Sequence, residues 1–500
     1  MIAALIYIIL FSAVIFLYKR KAELGLPRWS FVLAFLVKIA SGFFLTYIYS
    51  SHYTDRSTAD IFKYYDDAKI MHQALSEKPA DYFSMLSGVG NDNIYYDTTY
   101  YAKMNHWYKR NDFGNYNDNH TIIRLNALIM PFSFGSFHVH TVFMCFISFL
   151  GLFALYKFFL SLFKTKSFLI YLVVFFIPSV VFWGSGVLKE GLLLFSVGLL
   201  LLSFYELFFL KRISFKYGLL LFVSLFLLLI NKNYLLLVIL PPLLAYYIVE
   251  RFKVKRVFLF FALFHFMLFA LFYVGIKVGL DKKPIALIVQ KQKDFINLSK
   301  GGIFLLSNEY LVRLEPEQES ATIRYNADSV KLASGTTYMS WRLNNFDDTL
   351  GVITNDEQIT FKVISKLPRA GSLLQEKPIA ATWSAFILFA PQSIYNALLQ
   401  PSILKSGSFV ERIASIENIA LIVFVLLCFV FGDYKNCNKS FLYFSVFSVL
   451  IMFLIVGYTT PVAGAIVRYK MPSLPFMLMI GVNVICLEKF KRFLSSIKRK

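Results

Sequence analysis

The run 31-FVLAFLVKIASGFFLTYIYS-50 holds a single charge, Lys38, and ten residues after it begins 60-DIFKYYDDAKIM-71, which carries three carboxylates and two tyrosines. Twenty helical residues rise about 30 Å, the thickness of a hydrocarbon core, so the first stretch predicts a membrane-spanning helix. The second lies at the mouth of that span, where acids need a partner or a task.

Outward from there the apolar pattern recurs. Windows 2–18, 31–50, 141–163, 167–183, 187–209, 217–230, 233–249, 257–276, 415–432, 440–457 and 471–487 predict about 11 transmembrane helices, within a range of 10–13. The short 217–230 window and its neighbour 233–249 read either as two spans or as one re-entrant pair broken at 231-NKN-233. With 57% hydrophobic residues, 55 phenylalanines and a mean hydropathy of +0.60, the chain falls outside the soluble class, and the expected fold is an all-α polytopic membrane protein.

Charge supplies the orientation. Connectors 19–30, 164–166, 210–216, 251–256, 433–439 and 488–500 contain twenty-one Lys and Arg residues and share one side of an eleven-span arrangement. Short cytoplasmic loops retain basic residues, so the N-terminus is expected outside and the C-terminus in the cytoplasm. The formal charge of +21 then reads as positive-inside charge and contact with membrane lipids, with no nucleic-acid footprint; the tail 489-KFKRFLSSIKRK-500 reads as an anchor at an anionic leaflet. Residues 1–18 have no basic stretch ahead of their apolar run and read as a retained signal anchor. Cys145, Cys428 and Cys486 fall in spans and Cys437 in a loop, which makes neither a disulfide framework nor a metal-ligand set. The compact connectors point to a bacterial inner (plasma) membrane.

The expected organisation is two spans (1–50), a first extracytoplasmic loop with the acidic motif and a re-entrant or interfacial helix (51–140), a helix bundle (141–276), a large extracytoplasmic segment with interfacial helices (277–414), and three spans with a basic tail (415–500). The first loop is rich in tyrosine, as in 92-DNIYYDTTYYAKMNHWYKRNDFGNYNDNH-120, which suits a bilayer interface or a carbohydrate-like ligand. In the second, 285–298 reads as helix and 310–329 as strand-like or irregular, while 383-WSAFILFAPQSIYNALLQPSIL-404 is apolar, broken by proline, and expected along or dipping into the outer membrane face.

Four places put ionisable groups at span edges. In the opening acidic stretch Asp60, Tyr64, Asp67, Ala68 and Met71 share one helical face, with Asp66 beside it. Crowded carboxylates raise one another's proton affinity, which suits general-base work or a divalent cation at Asp60 and Asp67. The same residues also suit a helix cap, or ion pairs with Arg56, Lys63 or Lys69. The turn 178-PSVVFWGSGVLKE-190 sets Trp183 and Lys189 at a helix start, a place for phosphate, or one where Glu190 neutralises the lysine. Lys232, and Arg468 with Tyr469 ahead of Pro472 and Pro475, lie on the same expected outer side, against the positive-inside trend. Together they predict one outer site in which Asp60, Asp66 and Asp67 are the catalytic candidates and Arg468, Lys189, Lys232, Tyr64, Tyr469 and Trp183 bind substrate.

In 60-DIFKYYDDAKIM-71, 178-PSVVFWGSGVLKE-190 and 468-RYKMPSLPF-476 the chain resembles the integral-membrane glycosyltransferases of the GT-C superfamily. The resemblance implies a GT-C-like fold and transfer of a sugar from a polyprenyl-phosphate carrier to a glycan, lipid or protein acceptor in cell-surface glycan assembly. It also implies an acidic base or metal-associated residue in the first outer loop, which maps to Asp60 or to Asp66 and Asp67, with magnesium or manganese as the ion. An arginine near a late span would hold carrier phosphate, which maps to Arg468. Two other readings stand beside it. A polysaccharide polymerase or O-antigen-type ligase would use outer basic residues such as Arg313, Arg324, Arg369 and Arg412; a flippase or transporter would use charges well inside spans, here Lys38 and Lys157.

Overall fold

A computed structural model describes residues 2–18, 24–52, 56, 59–107, 117–279, 284–307, 310–315, 318, 320, 322–324, 329–333, 336–342, 349–352, 361–367, 369–374, 377–404 and 407–497. The basic run 19–21, residues 108–116 of the tyrosine-rich loop and the end of the tail lie outside the described residues. In chain order come α1 (Ile2–Leu17), α2 (Arg28–His52), α3 (Asp60–Glu77), α4 (Pro79–Ser87), α5 (Ile94–Thr99), α6 (Asp118–Ser133) and α7 (Phe137–Leu162). Then follow α8 (Ser167–Phe175), α9 (Pro178–Trp183), α10 (Lys189–Phe204), α11 (Phe215–Lys232), α12 (Tyr234–Phe252), α13 (Val257–Gly279) and α14 (Pro284–Lys300). After a sheet, α15 (Trp383–Leu399), α16 (Phe409–Val430), α17 (Lys439–Thr459), α18 (Ala463–Lys470), α19 (Leu474–Val484) and α20 (Leu487–Ile497) follow.

Among the described residues seven helices are long and apolar enough to cross a membrane: α2, α7, α10 with its extension to Phe209, α11, α12, α16 and α17. The chain is thus a multi-pass membrane protein, and 217–230 and 233–249 form two helices. Helix α1 and Val257–Leu271 of α13 are apolar but shorter. The two remaining windows both contain proline and form shorter helices. Ile177 has ψ 119° because the ring of Pro178 disfavours a helical residue before it, so 167–183 becomes α8 and α9. In the last window Met471 and Leu474, ahead of Pro472 and Pro475, keep helical dihedrals, and the chain passes through a short 3₁₀ turn, Met471–Ser473, into the buried eleven-residue α19.

Successive reversals give the bundle two ends. At one, the rings of Phe163 and Phe441, Tyr246 and Phe441, and Phe209 and Tyr246 pack at 5.0, 6.5 and 5.0 Å. These contacts gather connectors 164–166, 210–216, 251–256 and 433–439. The opposite end receives the C-termini of α2, α9, α11 and α17 and the N-termini of α7, α10 and α12, and it holds the candidate site. The bundle is tight at its centre: a Cβ on Gly198 of α10 would fall 1.9 Å from the carbonyl oxygen of Gly151 in α7. Only a pair of small residues lets two helices approach that closely.

The expected all-α class describes the membrane bundle, but the segment between α14 and α15 adds a sheet. Strands β1 (Gly302–Ser307), β2 (Tyr310–Leu314), β3 (Thr322–Arg324), β4 (Ser329–Leu332), β5 (Thr337–Arg342), β6 (Thr349–Val352) and β7 (Phe361–Leu367) lie in the order β3-β4-β7-β1-β2-β5-β6, all pairs antiparallel. Ile303, Leu305, Val312, Leu314, Leu332 and Phe361 form its core. A strap after β7 then ties the sheet to α18, with Ala463 N–H donating to Ser372 O (2.9 Å) and Leu374 N–H to Pro461 O (2.7 Å).

The first loop folds on itself over the site end. Its tyrosines pack mostly against one another: Tyr95 and Tyr100 donate to Asp81 at 2.7 and 2.8 Å, and Tyr101 stacks on Trp107 at 4.2 Å. Pro131 does not break α6, which runs to Ser133 and stops where Phe134 and Gly135 turn left-handed, at φ 50° and 71°.

Candidate functional site

Asp60 is the first residue of α3, whose apolar face (Ile61, Phe62, Tyr64, Tyr65, Ala68, Met71) is buried against the loop and the bundle. Its Oδ1 lies 3.2 Å from His106 Nε2 and its Oδ2 3.4 Å from Arg468 Nη1. Arg468 in turn donates to both oxygens of Glu190, from Nε at 2.5 Å and Nη2 at 3.0 Å, and its guanidinium stands 5.6 Å from the centre of the Trp183 ring. This bidentate fork fixes Arg468 in a plane. Glu190 sits in the first turn of α10, where a carboxylate is favoured by the unpaired N–H groups, so the helix start expected to take phosphate carries its own anion.

The other two cations meet on a single oxygen. Lys189 Nζ and Lys232 Nζ lie 2.8 and 2.9 Å from Asp118 Oδ2, and Lys189 also donates to Asn119 Oδ1 at 2.5 Å. The Tyr64 ring is 5.6 Å from Lys189 Nζ and the Tyr469 ring 6.0 Å from Lys232 Nζ. Three cations and three carboxylates thus converge from α3, α6, α10, α11 and α18. The cluster is closed on most sides: the side chains of Glu190 and Asp118 are 4% and 6% exposed, against 27% for Lys232 and 36% for Asp60. Asp60 is therefore its most open charged member.

The three acids of the opening stretch have separated. Burial opposes ionisation of Asp60, but the His106 hydrogen bond and Arg468 outweigh it and hold the carboxyl well below the usual range. Asp67 is fully buried and accepts from the backbone N–H groups of Asn105 and His106, each at 2.7 Å; burial pushes its carboxyl up against those two bonds. Asp66 faces outward in a two-point pair with Arg56, both bonds 2.9 Å, which is one of the ion pairings its sequence suggests. His106 stands between Asp60, which meets its ring, and Asp67, which holds its backbone. Among the described residues no three His, Cys, Asp or Glu side chains group as a metal site.

Asp118, Asn119 and His106 do not stand out in the sequence. All three lie in a polar loop where acids and amides are common, and the only local signal is 117-NDNH-120, whose Asn117 caps α6. Lys470, next but one to Arg468, is buried and bonded to Ala397 O (2.7 Å) and Asn418 Oδ1 (2.8 Å), a strut between α15, α16 and α18. Arg313 is buried in the sheet, bonded to Gly301 O and Glu315; Arg369 and Arg412 are exposed, and nothing is described of the Arg324 side chain. Lys38 is buried in α2, its Nζ without a hydrogen-bond partner among the described residues. No known family, curated protein or solved structure matches the chain.

Proposed function

We propose that the protein is a membrane glycosyltransferase that moves a sugar from a polyprenyl-phosphate carrier to an acceptor hydroxyl on a glycan, lipid or protein. The observation that supports this is the convergence itself: Arg468, Lys189 and Lys232 gather at one end of a membrane bundle with Asp60 as the open carboxylate. A carrier phosphate approaching from the bilayer exchanges with the carboxylates now bound to Arg468 and Lys232. Cations placed where the leaving phosphate gains charge stabilise the transition state. The acceptor enters on the open Asp60 side.

In this reading the site end faces outside, the basic end faces the cytoplasm of a bacterial inner membrane, and a GT-C-like transferase uses Asp60 with Arg468. Reporter fusions at positions 95 and 330 are expected outside and at 25, 254 and 495 inside. The activity test uses purified protein in lipid nanodiscs with a panel of polyprenyl-phosphate sugars. Asp60→Asn is expected to lose about 10²–10⁴-fold in transfer while remaining folded, the range expected when a site's acid–base step is disabled. A cytoplasmic residue 95, or an Asp60→Asn variant with full transfer, sinks the assignment. Transfer abolished by EDTA and restored by magnesium or manganese moves Asp60 to a metal-holding role.

A further inference from the structure

We infer that His106 takes the acceptor's proton and that Asp60 orients it, an inference that rests on the sugar-transfer reading above. Four contacts place this residue. Its backbone N–H is held by the buried Asp67, its carbonyl accepts from Asn119 Nδ2 at 3.2 Å, its ring lies 5.1 Å from the Tyr64 ring, and its Nε2 meets Asp60 Oδ1. The buried Asp67 thus spends both oxygens on fixing the loop at Asn105 and His106.

In the neutral ring, the nitrogen set against a carboxylate, Nε2, carries the hydrogen, and the lone pair is then on Nδ1. Nδ1 has no partner among the described residues, and the side chain is 21% exposed, open enough for a hydroxyl to reach. The charged groups around the ring are Asp60, Asp67, which also interacts electrostatically with the imidazole, and, beyond Asp60, Arg468. An aspartate held between two donors is a poor proton acceptor, whereas beside an imidazole it stabilises the imidazolium.

The step balances without any further reactant. As the acceptor oxygen bonds to the anomeric carbon, its O–H bond breaks and the proton passes to Nδ1. The anomeric C–O bond to the carrier breaks with its electron pair, and the carrier phosphate leaves as the anion that faces the cations. The imidazolium then returns its proton to water.

The test compares His106→Ala and His106→Gln with wild type in nanodiscs, on a polyprenyl-phosphate sugar that wild type turns over. Both variants are expected to lose about 10²–10⁴-fold in turnover with carrier affinity unchanged, and added imidazole to restore part of the rate of His106→Ala. The clasp by Asp67 uses backbone N–H groups, so both variants are expected to keep the wild-type unfolding temperature. Glutamine keeps an N–H for Asp60 but offers no basic nitrogen. Wild-type turnover in His106→Gln therefore overturns the inference, as does wild-type turnover in His106→Ala, and either leaves the sugar-transfer reading standing. Wild-type protein that releases sugar from no carrier takes both down.

Discussion

At the basic end Lys166 donates to the carbonyls of Val482, Asn483 and Ile485, and Lys489 to that of Gly432; at the site end Lys189, Lys232 and Arg468 each meet a carboxylate. The carbonyls at the C-terminal end of a helix lack intrahelical partners and carry partial negative charge, so they can hold Lys166 and Lys489, while nearby Arg212 and Lys253 pair with Glu206 and Glu250. At the site end the cations are packed among apolar helices, where a lone charge is costly and a counterion must be supplied. One end holds two of its lysines on helix carbonyls. The other balances three cations against three carboxylates.

The harshest way to break that contrast is at Asp118, which holds two ammonium groups on one oxygen. Asp118→Asn leaves Lys189 and Lys232 without their shared anion, and the expected cost is about 3–5 kcal/mol, the range for stranding a buried charge. It is read as a lower unfolding temperature in detergent. Adding Lys232→Met should recover part of the loss; no recovery would show that the three do not act as one unit.

What could be read in advance follows from the same physics. Lys189, Lys232 and Arg468 stand out because an ionised group beside an apolar run is improbable without a reason, and the opening helix is visible in its three-and-four spacing. Their partners are not visible: Asp118 is one acid among many in a polar loop, and only folding brings it to two lysines that lie 71 and 114 residues away in sequence. The 167–183 window reads as a span because hydropathy does not register the backbone effect of Pro178. The sheet is half legible, since β2 looks strand-like alone, but its pairing with β5 and that of β1 with β7 are long-range choices.

A sharper test of intermediate size lies at Arg468. Lysine keeps the charge but cannot make the two-point contact with Glu190 while also reaching Asp60. Arg468→Lys and Arg468→Ala are both expected to weaken binding of the carrier lipid, by about 1.5–3 kcal/mol for a lost charge-assisted bond. The control is Arg412→Ala, on an exposed side chain, because Lys470 is a buried strut and its loss would disturb the fold itself. Equal carrier affinity in wild type and both Arg468 variants would remove the phosphate grip from this residue.

The smallest expected effect belongs to Asp66, and it bears on where the cluster ends. Asp66 and Arg56 are 34% and 50% exposed, and the Arg56 guanidinium also lies 4.1 Å from the centre of the Phe62 ring, a contact that survives loss of the carboxylate. Exposed pairs contribute about 0–1 kcal/mol and are screened by salt, so Asp66→Asn should change the unfolding temperature little and carrier turnover not at all. The measurement is transfer and thermal unfolding at low and high salt. A turnover loss that persists at high salt would mean that the Asp66 carboxylate belongs to the exchangeable charge of the site, and that the acceptor's path runs past Asp60 along the outer face of α3.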